Sequence, residues 1–342
     1  MKKSALRALH IASLFAGLAL FIFLVRQTGL ETLWHYLGMM GWGFAFILAL
    51  SAVRNCARAA SWYLSIDPRY RGIGYWPLMN VMLAGEAIKY LTATGPLVGE
   101  PAKAAMVKRQ VPLLQGLSSV LVENLIYHLT VFVVMLAGLP ALAWLVEVPA
   151  GVKLAGYLAG ALIVAGIAGT WFAISRRSFV MARMLASLTR LIARSPFEVH
   201  ATRLDSLAVH VRSVEENVYS FYRQRRGSFW LIFAVNMSAH LINVVEVCLI
   251  LASMRVPATL SIGFVVEAVT KVINLVFFFV PTRAGVYESG HALVISALGM
   301  AASAGVALAI IRKLRAFVWV GYGLGVIMLM IIQDKRELKN EN

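Results

Sequence analysis

The chain has 342 residues, 60% hydrophobic and 14% charged, with a mean hydropathy of +0.76 and a formal net charge of +16. Soluble domains hold close to half apolar residues, and several runs here reach the roughly 20 needed to cross a bilayer; composition therefore excludes a soluble domain and indicates an all-α polytopic membrane protein. The alternating ten-residue segments of an outer-membrane barrel are missing, and the basic charge lacks the aromatic interleaving of a nucleic-acid surface.

In chain order, hydropathy predicts six full spans at about 8–25, 41–66, 113–138, 152–174, 228–252 and 303–332. The first run has no clean small-residue cleavage site and a second apolar run follows it closely, so it reads as a retained helix rather than a signal peptide. Two further regions, about 74–110 and 257–300, are apolar but interrupted, at Thr92–Pro96 and Pro281–Gly285. Cys56 and Cys248 lie inside apolar runs and read as small core residues, not as a disulfide. The segment of about 176–226, which carries ten arginines, reads as a basic amphipathic linker suited to anionic lipid headgroups.

Basic residues set the topology. With the N-terminus cytoplasmic and each interrupted region returning to its own side, 21 lysines and arginines fall inside and four outside, Arg26, Lys153, Arg255 and Arg283. That bias follows the positive-inside rule, and full crossing of both interrupted regions would turn the ten-arginine segment outward. The reading is one integral-membrane domain over 1–342, with two re-entrant helical hairpins inside an inverted repeat, repeat A about 41–138 and repeat B about 228–332. Glu100 and Glu288 are 188 residues apart, as are Asn124 and Arg312, and Arg58 and Glu246. The register is positional, not chemical. Hydrocarbon does not satisfy free peptide groups, so the broken tips should be buried in protein or face a wet cavity, the usual midplane site of transporters built on inverted repeats. The half-helix beginning near Val98 would aim its positive dipole end at the tip, which suits an anion.

Charged residues inside the apolar runs are the candidate site. Arg54 and Arg58 share a helix face with Trp62, which reads as an interface anchor; Arg58 either snorkels or serves a site, and Arg54 has farther to reach. Glu86–Lys89 and Glu100–Lys103 flank the first break at pairing distance on a helix. They are either local ion pairs or part of a headgroup or proton site, and the break favours function for Glu100. Glu123 and Asn124 lie inside the third span, where a carboxylate needs a partner. His240, Asn243 and Glu246 share a face of the fifth span and read as an interhelical hydrogen-bond network; no HExxH or second histidine cluster supports a metal site. Arg312, Lys313 and Arg315 sit deep in the last span and require counter-charges such as Glu288, Glu267 or a lipid phosphate.

The stretches "RAASW" (58–62), "GPLVGEPAKAAMVKR" (95–109), "VLVENLIY" (120–127), "PTRAGVYESGHAL" (281–293) and "IIRKLRAF" (310–317) resemble the flippase-like membrane region of lysylphosphatidylglycerol synthases and their stand-alone, including hopanoid-associated, relatives. The family's glutamates and late arginine fall on Glu100, Glu123, Glu288 and Arg312. Two departures, Asn124 where many relatives carry arginine and the "TRAGVYE" break, bear on headgroup preference. No aminoacyl-transferase domain follows in this sequence, so synthase activity does not carry over.

The resemblance implies a flippase in the bacterial inner (cytoplasmic) membrane, multi-pass with both termini cytoplasmic. It would move a phosphate-bearing lipid between leaflets without a cofactor. Arg58, Arg312 and Arg315 would neutralise the headgroup, and Glu100 and Glu288 would stand at the gates. The candidate substrate-binding set is Arg58, Lys89, Glu100, Lys103, Glu123, Asn124, Glu288, Arg312 and Arg315. Neither a P-loop nor a dinucleotide fingerprint is present, which argues against direct drive by ATP. The alternatives are a headgroup-modifying membrane enzyme with Glu100 or Glu123 as base, or a scaffold docking lipid-biosynthesis enzymes through segment 176–226.

Overall fold

The computed structural model describes residues 30–92, 95–146, 150–176, 201–277 and 285–340, together with Ile22, Phe179, Arg183, Met184 and Ser187. Apart from Ile22, the expected first span lies outside the described residues, as do Pro281 and Arg283 of the second break. Among the described residues eleven α-helices follow: α1 Leu30–Met40, α2 Trp42–Ser65, α3 Tyr75–Leu91, α4 Pro96–Met106, α5 Leu113–Leu145, α6 Ala150–Ser175, α7 Ala201–Gln224, α8 Arg226–Ser253, α9 Leu260–Val276, α10 Val286–Ala297 and α11 Ala302–Asn340. Three of these helices, α5, α8 and the 302–333 part of α11, are long and apolar enough by themselves to span a membrane. Helix α2 has the length, at 24 residues, but its two arginines and several polar residues lower its hydropathy. Helix α1 is an element the hydropathy profile did not predict; it ends where Gly41 takes a positive φ of 50°.

Both interruptions break a helix where expected. Helix α3 stops at Leu91, and α4 restarts at Pro96 behind Gly95, whose φ is +41°. Proline suits the first helical position because its missing N–H would be unpaired there in any case. In the second half α9 ends at Val276 and α10 begins at Val286.

The order of lengths repeats along the chain. A long helix, one of 17 residues, one of 11 or 12 and another long helix form α2–α5 and again α8–α11. The packing repeats with the halves exchanged: α3 lies on α11 and α9 on α5, while α2 lies on α8. Each interface of a short helix with the opposite half's long helix needs a small residue. A Cβ on Gly323 of α11 would come within 2.5 Å of the Leu83 carbonyl oxygen on α3, and one on Gly138 of α5 within 2.1 Å of the Ala268 Cβ on α9. Close backbone approach of this kind drives helix association in lipid, where apolar burial supplies little.

The helix pairs have definite directions. On α2 and α8, Arg54 meets Asn243, and the Leu64 carbonyl near the end of α2 meets Arg225 at the start of α8; as one number rises the other falls, so the helices are antiparallel. Helices α3 and α4 are also antiparallel, since Lys89 meets Glu100 and Glu86 meets Lys103. Trp62 is no interface anchor: it is 2% exposed and its Nε1–H donates to Ser119 Oγ on α5 at 3.1 Å, inside the bundle. The amphipathic segment packs helix α7 on α5, with Val218 and Phe221 buried. Just after α7, Arg225 donates to the Leu64 and Ile66 carbonyls at 2.8 and 3.2 Å, and Arg71 to Ile66 at 3.0 Å. Those carbonyls belong to the unpaired, negative end of α2, where a cation is favourable.

Candidate polar cavity between the two halves

Helices that are mostly apolar bring their few charged side chains to one place. Arg54, Asn55 and Arg58 of α2 lie one to four residues apart and so share a broad face. They meet His240 and Asn243 of α8, Glu267 and Lys271 of α9, and Arg312 and Arg315 of α11 around a cavity of about 300 Å³. Tyr127, Tyr287 and Trp319 close its walls.

Around the cavity the ion pairs repeat with their sign reversed. In the first half Arg58 of α2 donates to Glu123 of α5 at 3.1 Å, and its guanidinium lies 4.2 Å from the centre of the Tyr127 ring. In the second half the acid is on the entering helix and the base on the leaving one. Glu246 of α8 accepts from Arg312 Nε of α11 at 3.2 Å and also from Arg315. A second carboxylate, Glu267, accepts from Arg312 at 2.8 Å and from Lys271 at 2.7 Å. Glu123 and Glu267 are almost fully buried, and Glu246 is 0% exposed. Charges at this depth persist because each carboxylate is neutralised and hydrogen-bonded by its arginine or lysine partner.

Neutral pairs follow the same exchange. Thr130 Oγ1 of α5 and His240 Nε2 of α8 are 3.0 Å apart, and Trp319 Nε1–H of α11 donates to Ser51 Oγ of α2 at 2.7 Å. Thr130 and Trp319 are 189 positions apart in the chain, as are Ser51 and His240. Arg54 and Asn243 are also 189 apart, and they bond each other at 3.1 Å.

The first hairpin carries its own cluster. Lys103 reaches Glu86 at 2.7 Å and Glu100 at 3.0 Å, and Lys89 reaches Glu100 at 3.1 Å and Glu86 at 3.7 Å. The two local pairs expected from spacing therefore form, but they are joined across the hairpin into a square of alternating charge. A Cβ on Gly99 would fall 2.7 Å from Lys89 Cβ and 2.9 Å from the Gly85 carbonyl oxygen, so only glycine lets α3 and α4 come this close.

The nine candidate residues thus divide by location. Arg58, Arg312 and Arg315 line the cavity, each already holding a glutamate. Lys89, Glu100 and Lys103 belong to the hairpin square, which reaches the cavity through Glu86. Glu123 stands behind Arg58. Asn124 turns its amide back to the Val120 carbonyl at 2.9 Å. Glu288 caps α10 by accepting from the Gly285 N–H at 2.9 Å, and it pairs with Lys313. Sequence reasoning left Arg54, Lys271 and Glu246 out of the site and kept Glu267 only as a counter-charge. Each is an ionisable residue within an apolar run, and that signal alone would have found them. Among the described residues, no group of three histidine, cysteine, aspartate or glutamate side chains is placed to hold a metal.

No curated protein and no solved structure matches the chain. The family model described as "Lysylphosphatidylglycerol synthase TM region" matches residues 10–325, nearly the whole chain, and with its long apolar helices this multi-pass membrane protein belongs to that family.

Proposed function

We propose that the chain is a lipid transporter that moves a polar, phosphate-bearing headgroup between leaflets while the tail stays in the bilayer. The observation that carries this reading is the cavity of about 300 Å³, lined by paired charges, at the junction of two halves whose outer faces are apolar. Water's share of liquid volume is about 30 Å³, so the space holds about ten waters or one headgroup. Family membership supports the same reading, as the membrane region of a lipid-headgroup synthase has a lipid to handle. The role is transport rather than catalysis: among the described residues the carboxylates at the cavity each pair with an arginine or lysine and serve as counter-charges rather than as free bases.

In this reading α3–α4 and α9–α10 are re-entrant hairpins entering from opposite faces of the bilayer. The antiparallel course of α2 and α8, counterparts in the two halves, supports an exchange axis in the membrane plane, and hence an inverted repeat. The 21-to-4 bias of basic residues supports cytoplasmic termini in a bacterial inner membrane. The hairpin square around Glu100 and the cap at Glu288 would latch the two tips.

Reconstitution into liposomes tests the proposal. Labelled phospholipid should exchange between leaflets with the wild-type chain and lose that exchange in Glu100→Gln and Arg312→Ala. Headgroup turnover without exchange would replace transport by enzymology, and neither activity would leave a scaffold.

A further inference from the structure

Counting charge by ion-pair group separates what the cavity already holds from what it lacks. Arg58 and Glu123 balance, as do the two lysines and two glutamates of the hairpin square. In the second half, Lys271, Arg312 and Arg315 share only Glu246 and Glu267, leaving one positive charge in excess. Arg54 adds a second. Among the described residues it has no carboxylate partner, and its guanidinium donates only to the amide oxygens of Asn243 at 3.1 Å and Asn55 at 3.2 Å.

Arg54 lies in the middle of α2, lines the cavity and occupies the point where the halves meet. Asn243, its neutral partner, passes its own amide N–H to Glu267 at 3.0 Å, so the hydrogen bonds of Arg54 reach an acid only through a relay. Beside it Asn55 is 7% exposed and lines the same space, and its Nδ2 has no hydrogen-bond partner. The Nε of Arg315, which lines the same cavity, is likewise unpartnered. Around one space stand a guanidinium held only by amide oxygens, a buried amide N–H and a second guanidinium N–H, the last two without partners, against a single unpartnered acceptor, Asn274 Oδ1. Donors of this kind suit the oxygens of a phosphate.

Resting on the transport reading, we propose that Arg54, with Asn55 and Arg315, forms an oxyanion site selecting headgroups that bring negative charge and no cation of their own. Phosphomonoester and phosphodiester anions fit the two excess positive charges. A zwitterionic headgroup brings an ammonium into a cavity that already has too many cations. The lysyl ester of phosphatidylglycerol, the product in the family's name, brings two and is rejected on the same ground.

Native mass spectrometry of the purified full chain, with phosphatidic acid, phosphatidylglycerol, its lysyl ester and phosphatidylcholine added separately, reads this site without requiring transport. Phosphatidic acid and phosphatidylglycerol should be retained, and Arg54→Gln should weaken that retention about 10- to 100-fold, the weight of one hydrogen bond to a charged group. Arg54→Lys, which keeps the charge, should recover part of it, and Asn55→Leu should weaken it with Arg54 intact. Monodisperse elution of each variant shows that it folds. Inorganic phosphate separates the sources: a lipid-specific site keeps its lipid in phosphate buffer, and one that releases it is an oxyanion site for the free ion. Equal retention of phosphatidylcholine or the lysyl ester, or unchanged retention in Arg54→Gln, overturns the proposal. Selective retention without leaflet exchange would leave the oxyanion site standing and remove the transport reading instead.

Discussion

Glu246 shows how much one side chain holds at this depth. It is 0% exposed and is the carboxylate to which both Arg312 and Arg315 point. Glu246→Gln keeps the shape and removes the charge, leaving Arg315 without an acid and Arg312 dependent on Glu267. Breaking a buried pair costs about 3–5 kcal/mol, and thermal unfolding in detergent should report a loss in that range. The Arg58–Glu123 pair offers a sharper measurement because one arginine meets one carboxylate, with the Tyr127 ring beside them. Arg58→Glu and Glu123→Arg should each destabilise strongly, and the double exchange should recover most of the loss. The second half already carries the pair in that reversed order. Additive losses in the double variant would mean that each side chain answers to other groups.

At the scale of elements, the two hairpins are held by different devices. The first is stitched by charge, and its two lysines are unequal: Lys103 is 2% exposed and lies within 3.0 Å of both glutamates, whereas the side chain of Lys89 is a quarter exposed. Lys103→Met should therefore cost several-fold more stability than Lys89→Met, since exposed pairs contribute about 0–1 kcal/mol. Shape fixes how each hairpin seats on the other half. Gly323→Leu and Gly138→Leu place a side chain where a backbone oxygen or a methyl group already sits. Each should lose about 1–3 kcal/mol or more, the usual cost of overpacking. Double-cysteine crosslinking between α3 and α11, or between α9 and α5, should fall in parallel. Equal crosslinking in the glycine and leucine forms would show that these crossings are looser than the close approaches imply.

For the molecule as a whole, the decisive question is on which side of the membrane each hairpin tip lies. With Cys56 and Cys248 replaced by alanine, single cysteines at Gly95 and Gly285 should react with an impermeant maleimide from opposite faces of sealed vesicles. Labelling from one face would remove the inverted repeat while leaving the paired charges of the cavity as they are. The sequence carried a large part of this architecture. Apolar runs located α5, α8 and α11, and prolines and glycines located both breaks. It also suggested a polar network on α8, which forms through His240, Asn243 and Glu246.

What the sequence determined by itself was membership and plan: a hydrophobic, basic chain of long helices interrupted twice, with charges at depth that had to find partners. These follow from local composition and from the cost of charge and unpaired backbone in hydrocarbon, which act on each segment separately. What only the tertiary structure decided was which charge meets which. In single helices Arg312 and Arg315 require counter-charges, with Glu267 among the candidates but not Glu246, and Arg58 reads as readily as a snorkelling residue; each is satisfied by a glutamate from another helix, while Arg54 keeps only amide partners. Ion pairing depends on distances between helices far apart in the chain, and a periodicity within one helix contains no information about them.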